Sequence, residues 1–121
     1  MSRTALTIDD SKTMRDMVSF TLKNAGFEVM EAENGQLGLD QVSNGKFDVI
    51  ITDINMPIMD GLTFTREARK LSQARTTPIL ILTTESDSNI KNEGRSAGAT
   101  GWIVKPFNPE KLLQVVEKVC G

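Results

Sequence analysis

Polar residues with complementary chemistry follow directly after four short apolar runs of this sequence. Asp9 and Asp10 follow the first run, Asp53 the third, Thr83 the fourth and Lys105 the fifth. Carboxylates bind hard cations, a lysine ammonium neutralises a phosphate oxygen as a point charge, and a threonine hydroxyl donates a hydrogen bond. Together these residue types indicate a pocket for a phosphoryl group and a cation.

The candidate ligands are all oxygen atoms. The chain contains no His, and its single cysteine, Cys120, has no partner for a disulfide or a zinc site. Two or three protein oxygens completed by water suit Mg²⁺ better than an all-protein Ca²⁺ cage. We therefore expect Mg²⁺ as the cofactor and Asp53 as a nucleophile that attacks phosphorus and becomes an aspartyl phosphate.

Bulk properties exclude several classes of protein. A chain of 121 residues fits one domain, 1–121, with no output domain. The net charge of -2 gives no electrostatic footprint for nucleic acid. The apolar runs are too short to span a membrane, and no secretion signal is present. We expect a cytoplasmic monomer that neither binds nucleic acid nor enters a membrane.

The apolar runs alternate with helical patterns, which indicates an α/β fold. The runs are Ala5 to Ile8, Val29 to Ala32, Val49 to Thr52, Ile79 to Leu82 and Trp102 to Val104. Runs of Ile, Leu and Val are typical of parallel strands buried on both faces, whereas Glu28 and Glu31 mark the second strand as an edge. We predict a doubly wound, five-stranded parallel sheet in the order 2-1-3-4-5, flanked by five helices.

Capping signals place the helices. The first helix begins after Ser11 and stops at Gly26, and the last begins at Asn108-Pro109. Three weaker helical patterns cover Gln36 to Asn44, Gly61 to Leu71 and Ser88 to Ala97. In this topology ligands bind where the strand order reverses, between strands one and three, so Asp9, Asp10 and Asp53 converge there.

The ordered motifs resemble the receiver domain of two-component response regulators, most closely the single-domain chemotaxis type. They are Asp9-Asp10, Asp53 with Asn55-Met56-Pro57 and Met59-Asp60-Gly61, Thr83-Thr84-Glu85, and Lys105-Pro106-Phe107. The resemblance runs from end to end of the chain. It implies the flavodoxin-like, or CheY-like, version of the predicted fold.

The resemblance assigns a role to each polar residue of the pocket. Asp53 is the phosphorylation site, and Asp10, Asp53 and the backbone carbonyl of Asn55 hold Mg²⁺. Asp9 acts on the ion through a water molecule, and Lys105 contacts the phosphoryl group.

Further roles concern the switch and the reset. Thr83 and Trp102 resemble the pair that moves on phosphorylation, although family members usually carry Tyr or Phe at position 102. Asn55 and Glu85 occupy the positions that tune dephosphorylation. The Lys105-Pro106 bond is expected to be cis.

The resemblance also implies a signalling role. A histidine kinase of the CheA type, or a phosphotransfer protein, passes a phosphoryl group from phosphohistidine to Asp53. The face formed by helix 4, strand 5 and helix 5 then binds a protein target such as a flagellar motor switch protein, and autodephosphorylation resets the chain. Such a phosphoacceptor is not an enzyme in the usual sense, because it catalyses only its own modification. A relay intermediate or a phosphate sink is the alternative.

Other interpretations of single motifs stay open at the level of sequence. Asp9 and Asp10 could cap the first helix, and Thr83 and Thr84 could cap the fourth. A small aspartyl phosphatase of the haloacid dehalogenase type would need a second Asp at position 55, where this chain has Asn. A flavodoxin-like electron carrier would need hydroxyl and amide donors in the first loop, which is acidic here.

Overall fold

The computed structural model describes residues 3–85 and 87–120. These residues form one parallel sheet in the order β2-β1-β3-β4-β5, so the predicted fold class is confirmed. The strands are β1 Arg3–Ile8, β2 Phe27–Ala32, β3 Val49–Thr52, β4 Ile79–Thr83 and β5 Gly101–Val104. The α-helices are α1 Lys12–Asn24, α2 Gly35–Ser43, α3 Gly61–Arg69, α4 Ser88–Ala97 and α5 Pro109–Cys120, and a short 3-10 helix spans Ser72–Ala74.

Helices cover both faces of the sheet because successive strand residues point to opposite sides. Ile51 and Leu80 pack with Leu22 of α1 and Leu112 of α5 on one face. On the other face the neighbouring strand residues, including Leu6, Ile50 and Ile79, pack with Val42 of α2 and Phe64 of α3. Each fully buried Leu, Ile or Phe stabilises the fold by about 1.5–3 kcal/mol relative to exposure. The two-sided core holds the strand ends in fixed positions.

The edge strand β2 differs from the interior strands in the way its sequence predicts. Every residue of β3 and β4 is buried. In β2, by contrast, Glu28, Met30 and Glu31 are exposed. The exposure of these residues fits an edge position, because no strand among the described residues lies beyond β2.

Side-chain hydrogen bonds cap the N-terminal ends of α1, α3 and α4. The predicted cap Ser11 accepts a hydrogen bond from the Met14 amide at 3.2 Å. Asp60 and Asp87 cap α3 and α4 in the same way, and such a cap contributes about 1 kcal/mol. Capping of α4 by Thr83 or Thr84 is therefore wrong.

Helix α3 ends earlier than its apolar pattern predicts. It stops at Arg69 instead of Leu71, because the amides of Lys70 and Leu71 bond to carbonyls three residues back and tighten the last turn. Across the described ranges, every helix is too short or too polar to cross a bilayer.

Candidate functional site

The carboxyl ends of β1 and β3 bring Asp9, Asp10 and Asp53 together. The two strands are neighbours in register, and the Asp53 amide donates to the Ile8 carbonyl at 2.9 Å. One carboxylate oxygen from each of the three aspartates lies within 4.8 Å of the others. The crevice where the strand order reverses thus contains the acidic cluster that the sequence predicts there.

Lys105 enters this cluster from the end of β5. Its Nζ lies 2.9 Å from Asp9 Oδ2 and 3.1 Å from Asp53 Oδ2, and its side chain is only 11% exposed. The Lys105-Pro106 bond is cis, and the Lys105 amide donates to the Thr83 carbonyl at 2.8 Å. One ammonium group therefore bridges two carboxylates at the base of the crevice.

Burial and ion pairing together shift the pKa values of Asp53 and Lys105. Burial raises the pKa of Asp53 above its ordinary value, although the hydrogen bond and charge of Lys105 oppose the shift. Burial alone would lower the pKa of Lys105, but its bonds to Asp9 and Asp53 outweigh it, and the pKa lies above the ordinary lysine value. Lys105 therefore stays positively charged, whereas burial disfavours the charged form of the neighbouring Asp53.

The loop after β3 is built tightly around Asp53. Asp53 Oδ1 accepts a hydrogen bond from the Ile54 amide at 2.7 Å, and the Ile54 carbonyl accepts one from the Gly61 amide at 2.8 Å. A Cβ atom at Gly61 would lie 1.9 Å from the Asp53 carbonyl oxygen. Position 61 therefore requires glycine for the backbone to close on Asp53.

Asp9 and Asp10 occupy different environments. Asp9 is buried, and its Oδ1 accepts a hydrogen bond from the Ser11 amide at 3.0 Å while Oδ2 faces Lys105. Asp10 is exposed at the mouth of the crevice. Neither residue is the N-cap of α1, which is Ser11, so capping by the acidic pair is wrong.

Thr83, Glu85 and Asn55 line the opposite wall. The buried Thr83 Oγ1 accepts a hydrogen bond from the Glu85 amide at 3.3 Å. Asn55 Nδ2 donates to Glu85 Oε1 at 3.1 Å, which joins the loop after β3 to the loop after β4. This hydrogen bond holds the Asn55 and Glu85 side chains next to each other.

Trp102 connects this wall to β5 and α4. Its Nε1 donates to the Glu85 carbonyl at 3.1 Å, and the ring is half-buried. The ring lies on Gly94, where a Cβ atom would come within 2.7 Å of Cζ3. The large indole is thus accommodated by the smallest residue on the facing helix.

A groove of about 770 Å³ lies on the far side of Trp102, between α4, β5 and α5. Lys91, Arg95 and Lys111 supply positive charge around it, and Trp102 and Phe107 supply aromatic surface. This combination suits an acidic segment with apolar side chains.

Two arginines that the sequence did not single out are anchored near these elements. Arg69 donates to the carbonyls of Gly98, Ala74 and Thr77 at 2.6–3.0 Å, and burial lowers its pKa. Arg15 donates to the Asp9 carbonyl at 2.6 Å. Carbonyl partners leave no residue signature, so sequence spacing carries no signal for either contact.

The donor set fits a hard divalent cation. Asp9, Asp10 and Asp53 offer carboxylate oxygens within reach of one position, and the chain has no His that would favour a softer metal. The cluster is therefore suited to Mg²⁺.

Comparisons with known proteins agree with this geometry. The family model described as response regulator receiver domain matches residues 5–117. Chemotaxis protein CheY1 of Helicobacter pylori is 39% identical over 96% of this chain and 95% of its own length. Chemotaxis protein CheY of Pseudomonas aeruginosa is 35% identical over 94% of this chain and 93% of its own length.

A solved structure gives the same result. Chemotaxis protein CheY4 of Vibrio cholerae superposes with a TM-score of 0.95 at 49% identity, covering 98% of this chain and 99% of that one. The sequence, the fold and the acidic crevice agree, and the chain belongs to the response regulator receiver domain family.

Proposed function

We propose that this chain is a stand-alone chemotaxis response regulator that accepts a phosphoryl group on Asp53 from the phosphohistidine of a histidine kinase. The observation that carries the proposal is the Asp53 carboxylate at the end of β3, bridged by Lys105 and flanked by Asp9 and Asp10. The names of the relatives, which are chemotaxis proteins, support the choice of pathway.

The transfer is a displacement at phosphorus. A carboxylate oxygen of Asp53 forms the new O–P bond, the N–P bond of the donor breaks, and its electron pair returns to the imidazole, which takes up a proton. Lys105 neutralises charge on the phosphoryl oxygens from its position 3.1 Å from Asp53. Among the hydrogen bonds of residues 3–85 and 87–120, Thr83 Oγ1 acts as the acceptor of the Glu85 amide, which leaves its own hydrogen available to donate to a phosphoryl oxygen.

Mg²⁺ would be held by Asp10, Asp53 and the backbone carbonyl of Asn55, with Asp9 acting through water. When bound, the ion neutralises charge on the phosphoryl oxygens during transfer. The convergence of the three carboxylates supports this assignment.

Output uses the face of α4, β5 and α5. A shift of Thr83 toward the phosphoryl group removes the acceptor of the Glu85 amide, and Glu85 in turn holds the indole of Trp102. Trp102 lines the cationic groove, so its movement changes the surface offered to a flagellar motor switch protein or another target. Asn55 and Glu85 tune the reset, and this role is supported by their hydrogen bond, which joins the loop that follows Asp53 to the loop that follows Thr83.

The deciding experiment is incubation with acetyl phosphate, with and without Mg²⁺, followed by intact mass measurement. The wild type should gain one phosphoryl group only with Mg²⁺, and Asp53→Asn should gain none. Asp40→Asn, which removes an exposed carboxylate of α2, is the matched control and should behave as the wild type.

Two outcomes would overturn the proposal. One is the absence of any mass change although Mg²⁺ binds. The other is turnover of phosphate monoesters without a trapped intermediate, which would indicate an aspartyl phosphatase. Decay of the modified protein over hours would contradict a reset by autodephosphorylation that Asn55 and Glu85 make fast.

A further inference from the structure

We infer that Arg15 is a positioning residue that fixes the peptide between Asp9 and Asp10 and thereby presents both carboxylates to a cation. The inference rests on the proposed function, because it takes the acidic crevice as the Mg²⁺ site. Arg15 lies on α1, one turn beyond the cap Ser11, and its own amide donates to the Ser11 carbonyl at 3.0 Å.

The contact with the acidic loop is made through the backbone. Arg15 Nη1 donates to the Asp9 carbonyl oxygen at 2.6 Å, a short bond from a charged donor. The carbonyl of Asp9 and the amide of Asp10 share one planar peptide unit. Holding the carbonyl therefore sets the direction in which the chain enters Asp10.

Asp10 depends on this backbone constraint more than its neighbours do. Asp9 is fixed by Ser11 and Lys105, and Asp53 is fixed by Ile54 and Lys105. Within residues 3–85 and 87–120, no hydrogen bond or ion pair reaches the exposed Asp10 carboxylate. Its position is consequently set by the peptide that Arg15 holds.

Arg15 is itself held by the edge of the sheet. Its Nε lies 3.3 Å from Glu31 Oε1, and its side chain is 14% exposed. The other oxygen of Glu31 accepts a hydrogen bond from the buried Ser19 at 3.0 Å. Arg15 and Ser19 are four residues apart on one face of α1, so the helix grips Glu31 at two points.

Positioning and simple electrostatics predict opposite results when Arg15 is removed. Arg15 is a cation beside a cation site, so on charge alone its loss would strengthen Mg²⁺ binding. If Arg15 positions the ligands, its loss weakens binding. Mutation of a residue that orients metal ligands typically weakens metal affinity by about 10–100-fold.

The test is a Mg²⁺ titration of the full chain at constant ionic strength, followed by the amide resonances of Asp10 and Asn55. Arg15→Ala should bind Mg²⁺ at least about tenfold more weakly than the wild type. Arg15→Lys should still be weaker by about threefold or more, because one ammonium cannot hold both a carbonyl and Glu31 as the guanidinium fork does.

The matched control is Lys12→Ala. Lys12 is also a cation on α1, but it is exposed and pairs with Asp16 at 2.9 Å. Its removal should leave Mg²⁺ affinity unchanged within about twofold. Glu31→Gln is a second, milder variant, which keeps an acceptor for Ser19 and should weaken binding by less than Arg15→Ala. Urea unfolding tests whether each variant is folded.

The outcomes separate this inference from the proposed function. Equal or tighter Mg²⁺ binding by Arg15→Ala overturns the positioning role while the proposed function stands. If Arg15→Ala does not fold, unchanged affinity in Glu31→Gln and Arg15→Lys overturns it instead. Failure of the wild type to bind Mg²⁺ overturns the proposed function.

Discussion

The Asp53 carboxylate combines reactivity with a cost to stability. Burial raises its pKa even though Lys105 lies 3.1 Å away, so the charged form is disfavoured in the folded chain. Functional groups held in this way often reduce the stability of the fold that carries them.

Asp53→Asn is therefore expected to stabilise the Mg²⁺-free protein at neutral pH. A carboxyl whose folded pKa is raised contributes stability that is present below the ordinary value of 3.8 and lost as the pH rises through the folded value. The variant has no such loss, so its advantage should grow with pH and reach about 1 kcal/mol near pH 7. Urea unfolding from pH 4 to 8 measures it. An advantage that is constant with pH, or a less stable variant, would contradict the expectation.

At this scale the sequence predicted residue types better than contacts. The polar residues after the strands were visible because the strands are short and apolar. The bond from Arg15 to the Asp9 carbonyl was not, since an acceptor on the backbone has no residue identity. The link from Trp102 to the Glu85 carbonyl has no sequence signal for the same reason.

Among the elements, the loop between β3 and α3 limits how the acceptor can move. Its backbone doubles back so closely that only glycine fits at position 61. Asp60 caps α3 immediately before this residue, so the helix start and the acceptor are rigidly linked.

Gly61→Ala is expected to destabilise the fold by about 1–3 kcal/mol, the usual cost of overpacking. It should also slow phosphorylation, because the new methyl group displaces the Asp53 backbone. Gly45→Ala is the matched control, since a Cβ there would meet only the Gln41 carbonyl at 3.6 Å. Urea unfolding and the rate of mass gain with acetyl phosphate measure both effects. Equal stability and equal rates of mass gain in the two variants would contradict the close backbone contact at Gly61.

The alternation of apolar runs and caps predicts which strands and helices exist, and the predicted bounds lie close to those of the structure. The edge strand β2 begins two residues before its apolar run, at Phe27, because Phe27 pairs with Arg3 of β1 and lies 4.3 Å from its guanidinium carbon. Such pairing between distant segments extends a strand beyond what its own residues favour.

Over the whole molecule, the fold places the acidic crevice at one edge of the sheet and the cationic groove beside β5. Trp102 touches both, through the Glu85 carbonyl on one side and the groove on the other. It is also the single tryptophan of the chain, which makes it an intrinsic probe.

Beryllofluoride with Mg²⁺, a phosphoryl mimic, should therefore change the fluorescence of the wild type and leave Asp53→Asn unchanged. Gly94→Ala should already differ before activation and respond less, because a methyl group at position 94 displaces the indole. Steady-state emission spectra measure both. An unchanged wild-type spectrum with beryllofluoride bound would exclude Trp102 as part of the switch.

The ion pairs of Lys105 give the crevice a built-in competitor. The ammonium group already bridges Asp9 and Asp53, and the chain tethers it there at a high effective concentration. Any free cation must share these carboxylates with it, so the measured affinity of the crevice reports an exchange between two positive charges. Because Lys105 is part of the chain, its positive charge stays beside Asp9 and Asp53 however far the protein is diluted.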